Sequence, residues 1–250
     1  MTDAQQLTQA FDALLQPARF KDYGPNGLQV QGREQIRTLV SGVTASKALI
    51  EAAIDLKADG LFVHHGLFWR GQDGRVVGWM RDRLQLLLAH DLNVWAYHLP
   101  LDAHPEWGNN AQLAKVLGFE TTGCFGDQDI GFLGHSFHHR ASAQALADHV
   151  ATQLGRRVTC IDPTGREVRK IGWCSGGAQG YFEAAIAAGV DVFLTGEISE
   201  PQMHYAREMG VAFLACGHHA TERYGAPALA DHVAQNLGLV HHFVDIDNPA

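Results

Sequence analysis

The stretch that decides the fold is Leu61-Phe62-Val63-His64-His65-Gly66, a short apolar run that ends in two histidines and a glycine. A continuous apolar run of this length is typical of a buried strand in a sheet covered by helices. Helical periods lie on both sides of it, at residues 46–56 and 79–89. Strands that alternate with helices predict an α/β protein with largely parallel sheets.

The same alternation extends outward to both ends of the chain. Further strands are predicted at residues 36–43, 93–97, 130–137, 158–161, 171–174, 190–194, 211–215 and 243–246. Further helices are predicted at residues 3–15, 109–117, 142–154, 181–188 and 201–209, with a long one at about 219–237. The pattern predicts two α/β domains with mainly parallel or mixed sheets, at residues 1–125 and 126–250.

Composition limits the classes of function. The net charge of −8 argues against broad electrostatic binding to nucleic acid. The sequence has no apolar run of the roughly 18 residues that a membrane helix needs. Its first residues lack the basic and apolar segments of a secretory signal, and its four cysteines form no C-x-x-C motif. We therefore expect a cytoplasmic protein with reduced thiols and no membrane partner.

Metal-binding side chains follow three of the predicted strands. In open α/β sheets, ligands bind beyond the carboxyl ends of the strands. His64 and His65 follow the strand quoted above. Successive strand residues point to opposite faces, so both histidines can reach one site only if the strand turns there.

The other two segments add carboxylates. Asp102 lies just past the next predicted strand, where its carboxylate could bridge two cations. His218 and Glu222 follow a later strand and lie four residues apart, so they share one face of a helix. The predicted metal ligands are therefore His64, His65, Asp102, His218 and Glu222.

Three histidines and two carboxylates suit zinc, iron or manganese better than calcium or copper(I). Five protein ligands underfill two cations and leave positions for water or substrate. Two ions roughly 3.5–4 Å apart activate a water as nucleophile and polarise a phosphoryl or carbonyl oxygen. The set thus predicts two divalent metal ions per subunit and a hydrolytic site.

Several other polar residues could either take part in the chemistry or be ordinary loop and surface residues. His98 and His104 could each orient a metal ligand or move a proton, and an ordinary polar loop histidine is the alternative for both. Glu197, just past a predicted strand, is a candidate general base. The pair His138-His139 lies in a polar stretch, the pair His241-His242 lies at the entry to the last predicted strand, and both are expected to face solvent.

Five motifs carry a family resemblance. They are His64-His65-Gly66-Leu67-Phe68-Trp69, His98-Leu99-Pro100-Leu101-Asp102-Ala103, Thr195-Gly196-Glu197-Ile198-Ser199, Gly217-His218-His219-Ala220-Thr221-Glu222 and Phe243-Val244-Asp245-Ile246-Asp247-Asn248-Pro249. In this order they resemble the Ngg-interacting-factor-three-like family. Its members are commonly labelled GTP cyclohydrolase 1 type 2 homologues, and the resemblance is strong to the bacterial YbgI-type proteins.

The resemblance implies a two-domain α/β protein, a dinuclear metal site in the interdomain cleft and a toroidal homohexamer. It gives the ligand role to the same five residues. Longer relatives carry an inserted domain for which this sequence has no room. Relatives often have His-Thr where this chain has His98-Leu99-Pro100, a difference that is not expected to disturb Asp102.

The leading hypothesis for function is a metal-dependent hydrolase acting on a nucleotide or related small molecule, with a GTP cyclohydrolase-like reaction as one candidate. The alternative is a non-enzymatic metal-binding ring scaffold or interaction protein, in which the ions hold the chain together. Action on nucleic acid is disfavoured by the net charge of −8. Fold and ligand set do not fix the substrate.

Overall fold

The computed structural model describes residues 2–136 and 142–250. Within them the helices are α1 (Ala4–Leu15), α2 (Lys47–Asp55), α3 (Gly78–Ala89), α4 (Leu99–Ala103), α5 (Asn109–Leu117), α6 (Ala143–Leu154), α7 (Phe182–Ala187), α8 (Glu200–Met209), α9 (His218–Glu222) and α10 (Gly225–Leu237). The strands are β1 (Thr2–Asp3), β2 (Gly27–Val30), β3 (Gln35–Ile36), β4 (Thr38–Thr44), β5 (Gly60–His65), β6 (Asn93–Ala96), β7 (Phe119–Phe125), β8 (Gly131–Ser136), β9 (Thr159–Ile161), β10 (Ile171–Trp173), β11 (Val192–Thr195), β12 (Ala212–Ala215) and β13 (Val240–Phe243). The expectation for His138 and His139 lies outside the described residues.

The chain divides into two compact units. Unit 1 comprises Met1–Trp107 and Ala226–Asp247, and unit 2 comprises Gly108–Gly225 and Asn248–Ala250. The predicted domains, 1–125 and 126–250, place the boundary later. The observed units differ from the predicted domains because α5 and β7 pack in unit 2, whereas α10 and β13 return to the core and the sheet of unit 1.

Unit 1 is built on a five-stranded sheet in the order β13-β4-β5-β6-β2. Neighbours are parallel from β13 to β6, and β2 pairs antiparallel with β6 at the edge. Alternate residues of β5 enter two cores, with Leu61 and Val63 in one and Phe62 in the other. The sheet is therefore covered on both faces, as the continuous apolar run of β5 predicted.

Unit 2 is built on a six-stranded sheet in the order β7-β8-β10-β11-β12-β9. Its central strands β10, β11 and β12 are parallel, and its other pairings are antiparallel. Trp173, Leu194 and Leu214 from the three central strands pack in one buried core. Both units thus combine parallel central strands with antiparallel edges, and the predicted α/β class with mixed sheets is confirmed.

Local signals set several helix ends. Asp3 and Gln6 form a capping box at the start of α1. The Ser46 side chain accepts a hydrogen bond from the Leu49 amide and caps α2. Gly118 ends α5 in the left-handed conformation, as predicted for residues 109–117.

Two predicted elements were wrong in extent. The long helix at about 219–237 is two helices, α9 and α10, because the Gly225 amide donates to the Asn109 side chain instead of continuing α9. The last strand lies at Val240–Phe243 and not at 243–246. The expectation of a surface position for the pair His241-His242 holds for His242, but His241 is partly buried and bonds Ser41.

No helix in residues 2–136 and 142–250 is long and apolar enough to cross a membrane. The four cysteines, all of which lie in the described part of the chain, are free thiols.

Candidate metal centre

The first candidate ligand set lies at the carboxyl ends of β5 and β6, which are parallel neighbours in unit 1. His64 is fully buried, and its Nδ1 lies 3.2 Å from the carbonyl oxygen of Tyr97. A carbonyl oxygen only accepts, so Nδ1 carries the proton in this hydrogen bond. His65 Nδ1 lies 3.1 Å from the hydroxyl of Thr44, and the two imidazole rings are 4.5 Å apart.

His98 joins this set from the loop after β6. Its Nδ1 lies 2.7 Å from Oδ1 of Asp22, and its backbone amide donates to Asn26. Burial raises the pKa of Asp22, but hydrogen bonds and charge from His98, with help from Asn26 and the Tyr23 amide, outweigh it and hold the pKa below its usual value. Asp22 is therefore a buried carboxylate that fixes the His98 ring.

Asp102 lies on the short helix α4 and is buried. Its Oδ1 is 3.6 Å from Nε2 of His64. His64, His65 and His98 each offer a ligand atom, and these atoms lie within 4.8 Å of one another. Unit 1 alone thus contains imidazoles and a carboxylate that could hold a metal ion.

The second candidate ligand set follows the parallel strands of unit 2. Strand β12 ends, Gly217 turns the chain, and α9 begins at His218. His218 Nε2 lies 3.2 Å from Oε2 of Glu222, one helical turn later. This contact confirms that the two side chains share one face of the helix.

Glu197, which follows β11, completes the second set. Its Oε1 lies 2.6 Å from Nδ1 of His218, so the imidazole sits between two carboxylates. Burial lowers the pKa of His218, but the hydrogen bonds and charges of Glu222 and Glu197 outweigh it and raise the pKa to about 9. Both ring nitrogens of His218 thus face carboxylate oxygens, a surrounding that favours a positive charge at this position.

One pattern is common to both sets. Every imidazole in them is fixed through Nδ1, by a carbonyl, a hydroxyl or a carboxylate, which leaves Nε2 to bind a cation or a proton. Metal-binding histidines in proteins are oriented in this way by a partner on the other ring nitrogen. The donor set of imidazoles and carboxylates fits zinc, iron or manganese.

Gly176 makes room for the second set. It lies in the turn after β10 with φ of +69°, and a Cβ there would collide with Oε1 of Glu222. We expect Gly176→Ala to displace the Glu222 carboxylate and weaken the binding of zinc or manganese about tenfold or more. A competition titration against a chromophoric chelator measures this effect.

Gly180→Ala is the matched control for this variant. A Cβ at Gly180 meets nothing within 4 Å, and its backbone has no left-handed φ. Equal metal affinities for the two alanine variants would contradict the role given to Gly176.

The other two residues that the sequence suggested for proton transfer, His104 and Glu197, have different surroundings. His104 Nδ1 accepts from the amides of Glu106 and Trp107 and serves a local turn. Burial lowers the pKa of His104, and the charge of Glu106 only partly opposes this. Glu197 accepts a hydrogen bond from the candidate ligand His218, whereas the sequence suggested Glu197 only as a general base. The sequence did not predict a role for Asp22, which directly precedes the turn-type residues Tyr23-Gly24-Pro25-Asn26-Gly27.

These features define a class of protein, an α/β protein in which parallel strands present sets of histidines and carboxylates suited to divalent metal ions. Residues 2–249 match the family described as Duf34/NIF3 (NGG1p interacting factor 3), and the chain belongs to this family. The resemblance drawn from the sequence motifs is confirmed.

Relatives and solved structures support the assignment. A protein of Neisseria meningitidis serogroup A named GTP cyclohydrolase 1 type 2 homolog is 55% identical over 237 residues, 94% of each chain. A Pseudomonas aeruginosa protein with that name is 51% identical over 247 residues, 98% of this chain and 97% of the relative. The structure of a protein described as ybgI, of unknown function, has a TM-score of 0.96 at 44% identity, covering 100% of both chains. The structure of a Thermus thermophilus protein, TTHA1606, has a TM-score of 0.89 at 32% identity, covering 100% of both chains.

Proposed function

We propose that the protein is a metal-dependent hydrolase of a nucleotide or related small molecule, with two divalent ions and five ligand residues. The ligands are His64, His65, Asp102, His218 and Glu222. The observation that carries the proposal is the fixing of each ligand imidazole through Nδ1, which prepares Nε2 for a cation. The name GTP cyclohydrolase 1 type 2 homolog of the relatives supports GTP as the first substrate to test.

Two divalent ions bound at these ligands would lower the pKa of a water molecule and polarise a carbonyl or phosphoryl oxygen. The chain's own groups would orient the ligands and move protons. Tyr97 and Glu197 hold the protons on Nδ1 of His64 and His218. His98, fixed at Nδ1 by Asp22, would take up or release a proton at Nε2 during turnover.

The direct test is turnover by the metal-loaded protein. Protein reconstituted with zinc, iron or manganese is incubated with a nucleotide panel that includes GTP, and products are followed by chromatography. We expect a product with at least one metal and loss of that product in His64→Ala. Inactivity with all three metals, or equal activity of the variant, would count against a hydrolase and favour the metal-binding scaffold.

The pH dependence of metal binding is a second prediction. The pKa of His218 is about 9, so near pH 7 its Nε2 is protonated and a cation must displace that proton. We expect the affinity for zinc to rise by about tenfold per pH unit between about pH 7 and pH 8.5. Calorimetry in buffers of different ionisation enthalpy should detect the released proton. An affinity independent of pH, or the same slope in His218→Ala, would contradict the assignment.

The family resemblance also implies a ring-shaped homohexamer, which we include in the proposal. Light scattering coupled to size-exclusion chromatography should then give a mass about six times the 27.3 kDa of one chain. A monomer or dimer at micromolar concentration would remove this part of the proposal without affecting the metal ligands.

A further inference from the structure

The closing residues of the chain lie against the helix that carries His218 and Glu222. Arg156, which follows the end of α6, donates from Nη2 to the carbonyl oxygen of Pro249 at 3.1 Å and from Nη1 to the backbone oxygen of Ala250 at 2.8 Å. The Asn248 side chain accepts from the Ala250 amide and closes a turn. Charged, two-pronged hydrogen bonds of this kind fix geometry better than neutral ones.

The same backbone oxygen reaches α9. The His219 amide donates to the oxygen of Ala250 at 3.3 Å. The first amides of a helix have no partner within the helix, and a side chain at the preceding position usually supplies one. At α9 the preceding residue is Gly217, and no side chain caps the helix. The oxygen of Ala250 therefore caps the start of α9.

Arg156 also packs directly on the start of α9. Gly217 has φ of +100°, and a Cβ there would collide with the guanidinium of Arg156. The guanidinium thus touches the backbone of the residue before His218, while its two nitrogens hold the chain's closing residues. The Arg156 guanidinium therefore connects the start of α9 to the segment, Pro249 and Ala250, that caps this helix.

We propose that Arg156 and residues Asn248–Ala250 form a tail clamp, which holds α9 in the orientation in which His218 and Glu222 bind metal. Arg156 is then a positioning residue that acts through α9. The inference rests on the metal binding in the proposed function, but not on hydrolysis. It also gives a role to the Asn248-Pro249 end of the closing sequence motif, which the ligand set leaves unexplained.

The experiment compares the full chain with Arg156→Ala, Arg156→Lys and a form lacking Pro249 and Ala250. Arg157→Ala is the matched control, because this neighbouring arginine is exposed. Two readouts are used on each protein: the dissociation constant for zinc from chelator competition, and the exchange rate of the His219 amide in the metal-free protein by NMR.

We expect Arg156→Ala and the shortened form each to weaken zinc binding by about 10- to 100-fold, the range for groups that orient metal ligands. Arg156→Lys should lose less, since an ammonium can still bond one of the two oxygens. The His219 amide should exchange at least about tenfold faster in the first two proteins. Combining Arg156→Ala with the deletion should weaken zinc binding little further, because both changes remove the same hydrogen bonds.

Several results would overturn the clamp. Wild-type zinc affinity in Arg156→Ala and in the shortened form would do so, even if their melting temperatures fall, because the effect would then be one of stability alone. An equal loss of zinc affinity in Arg157→Ala would show that the effect comes from the change in net charge and not from the clamp. If the wild-type chain binds no zinc, the proposed function fails and the clamp's link to metal fails with it. The His219 exchange rate still decides whether the tail caps α9.

Discussion

Glu222→Gln is expected to remove most metal binding while leaving the protein folded. The Glu222 carboxylate is buried, with 3% of the residue exposed, and its Oε2 faces Nε2 of His218 at 3.2 Å. Loss of a group that only orients a ligand costs about 10- to 100-fold in affinity, so loss of a ligand carboxylate should cost more than about 100-fold. The neutral amide cannot balance a cation's charge, and it offers one ligand oxygen in place of two.

Elemental analysis and thermal melting measure this prediction together. The wild-type chain should carry up to two ions and melt at a higher temperature when zinc is added, because a ligand that binds only the folded state stabilises it. The variant should carry fewer ions and show no such shift. Glu208→Gln is the control, because Glu208 is an exposed glutamate on α8. An unchanged metal content in Glu222→Gln would remove this residue from the ligand set.

Much of the fold could be predicted because its signals are local. The end of α5 at Gly118 and the start of α2 at Ser46 depend on residues within one turn of the helix. The approach of His64 and Asp102 could be predicted for a related reason. Parallel strands carry their carboxyl ends to one edge of the sheet, so residues that follow the neighbouring strands β5 and β6 were expected close together, and these two side chains lie 3.6 Å apart.

What the sequence did not reveal depends on contacts between distant residues. At the break between α9 and α10 the Gly225 amide donates to the Asn109 side chain, which lies 116 residues earlier in the chain. The pairing of Asp22 with His98 spans 76 residues. Periodicity and capping rules act over a few residues and contain no information about such partners.

The two histidines of β5 illustrate the limit of the pattern. Alternation along a strand places neighbours on opposite faces, so the sequence predicted that His64 and His65 could share a site only if the strand turned. The strand continues through His65, yet the rings lie 4.5 Å apart. Partners on other strands and loops, Tyr97 and Thr44, fix the two rings, and these partners emerge only from the folded sheet.

Glu197→Ala should weaken zinc binding by about 10- to 100-fold although Glu197 is not among the proposed ligands. The carboxylate accepts from Nδ1 of His218 at 2.6 Å, a short charge-assisted hydrogen bond that fixes the ring. Without it the imidazole can rotate, and the pKa of His218 falls because one of its two carboxylate partners is gone. The rise of zinc affinity with pH should therefore level off at a lower pH than in the wild-type chain.

The chain offers a matched control for this pair on its surface. Glu200 and His204 on α8 also form a glutamate–histidine contact, at 2.9 Å, but both side chains are exposed. Glu200→Ala should leave zinc affinity and its pH profile unchanged, since solvent screens an exposed pair and the pair fixes no ligand. Glu197→Gln should lie between wild type and Glu197→Ala in affinity, because the amide keeps a hydrogen bond to Nδ1 but loses the charge. Equal affinities and pH profiles for Glu197→Ala and Glu200→Ala would mean that Glu197 is a surface partner of His218, and that Glu222 and the helix alone set the position of the ring.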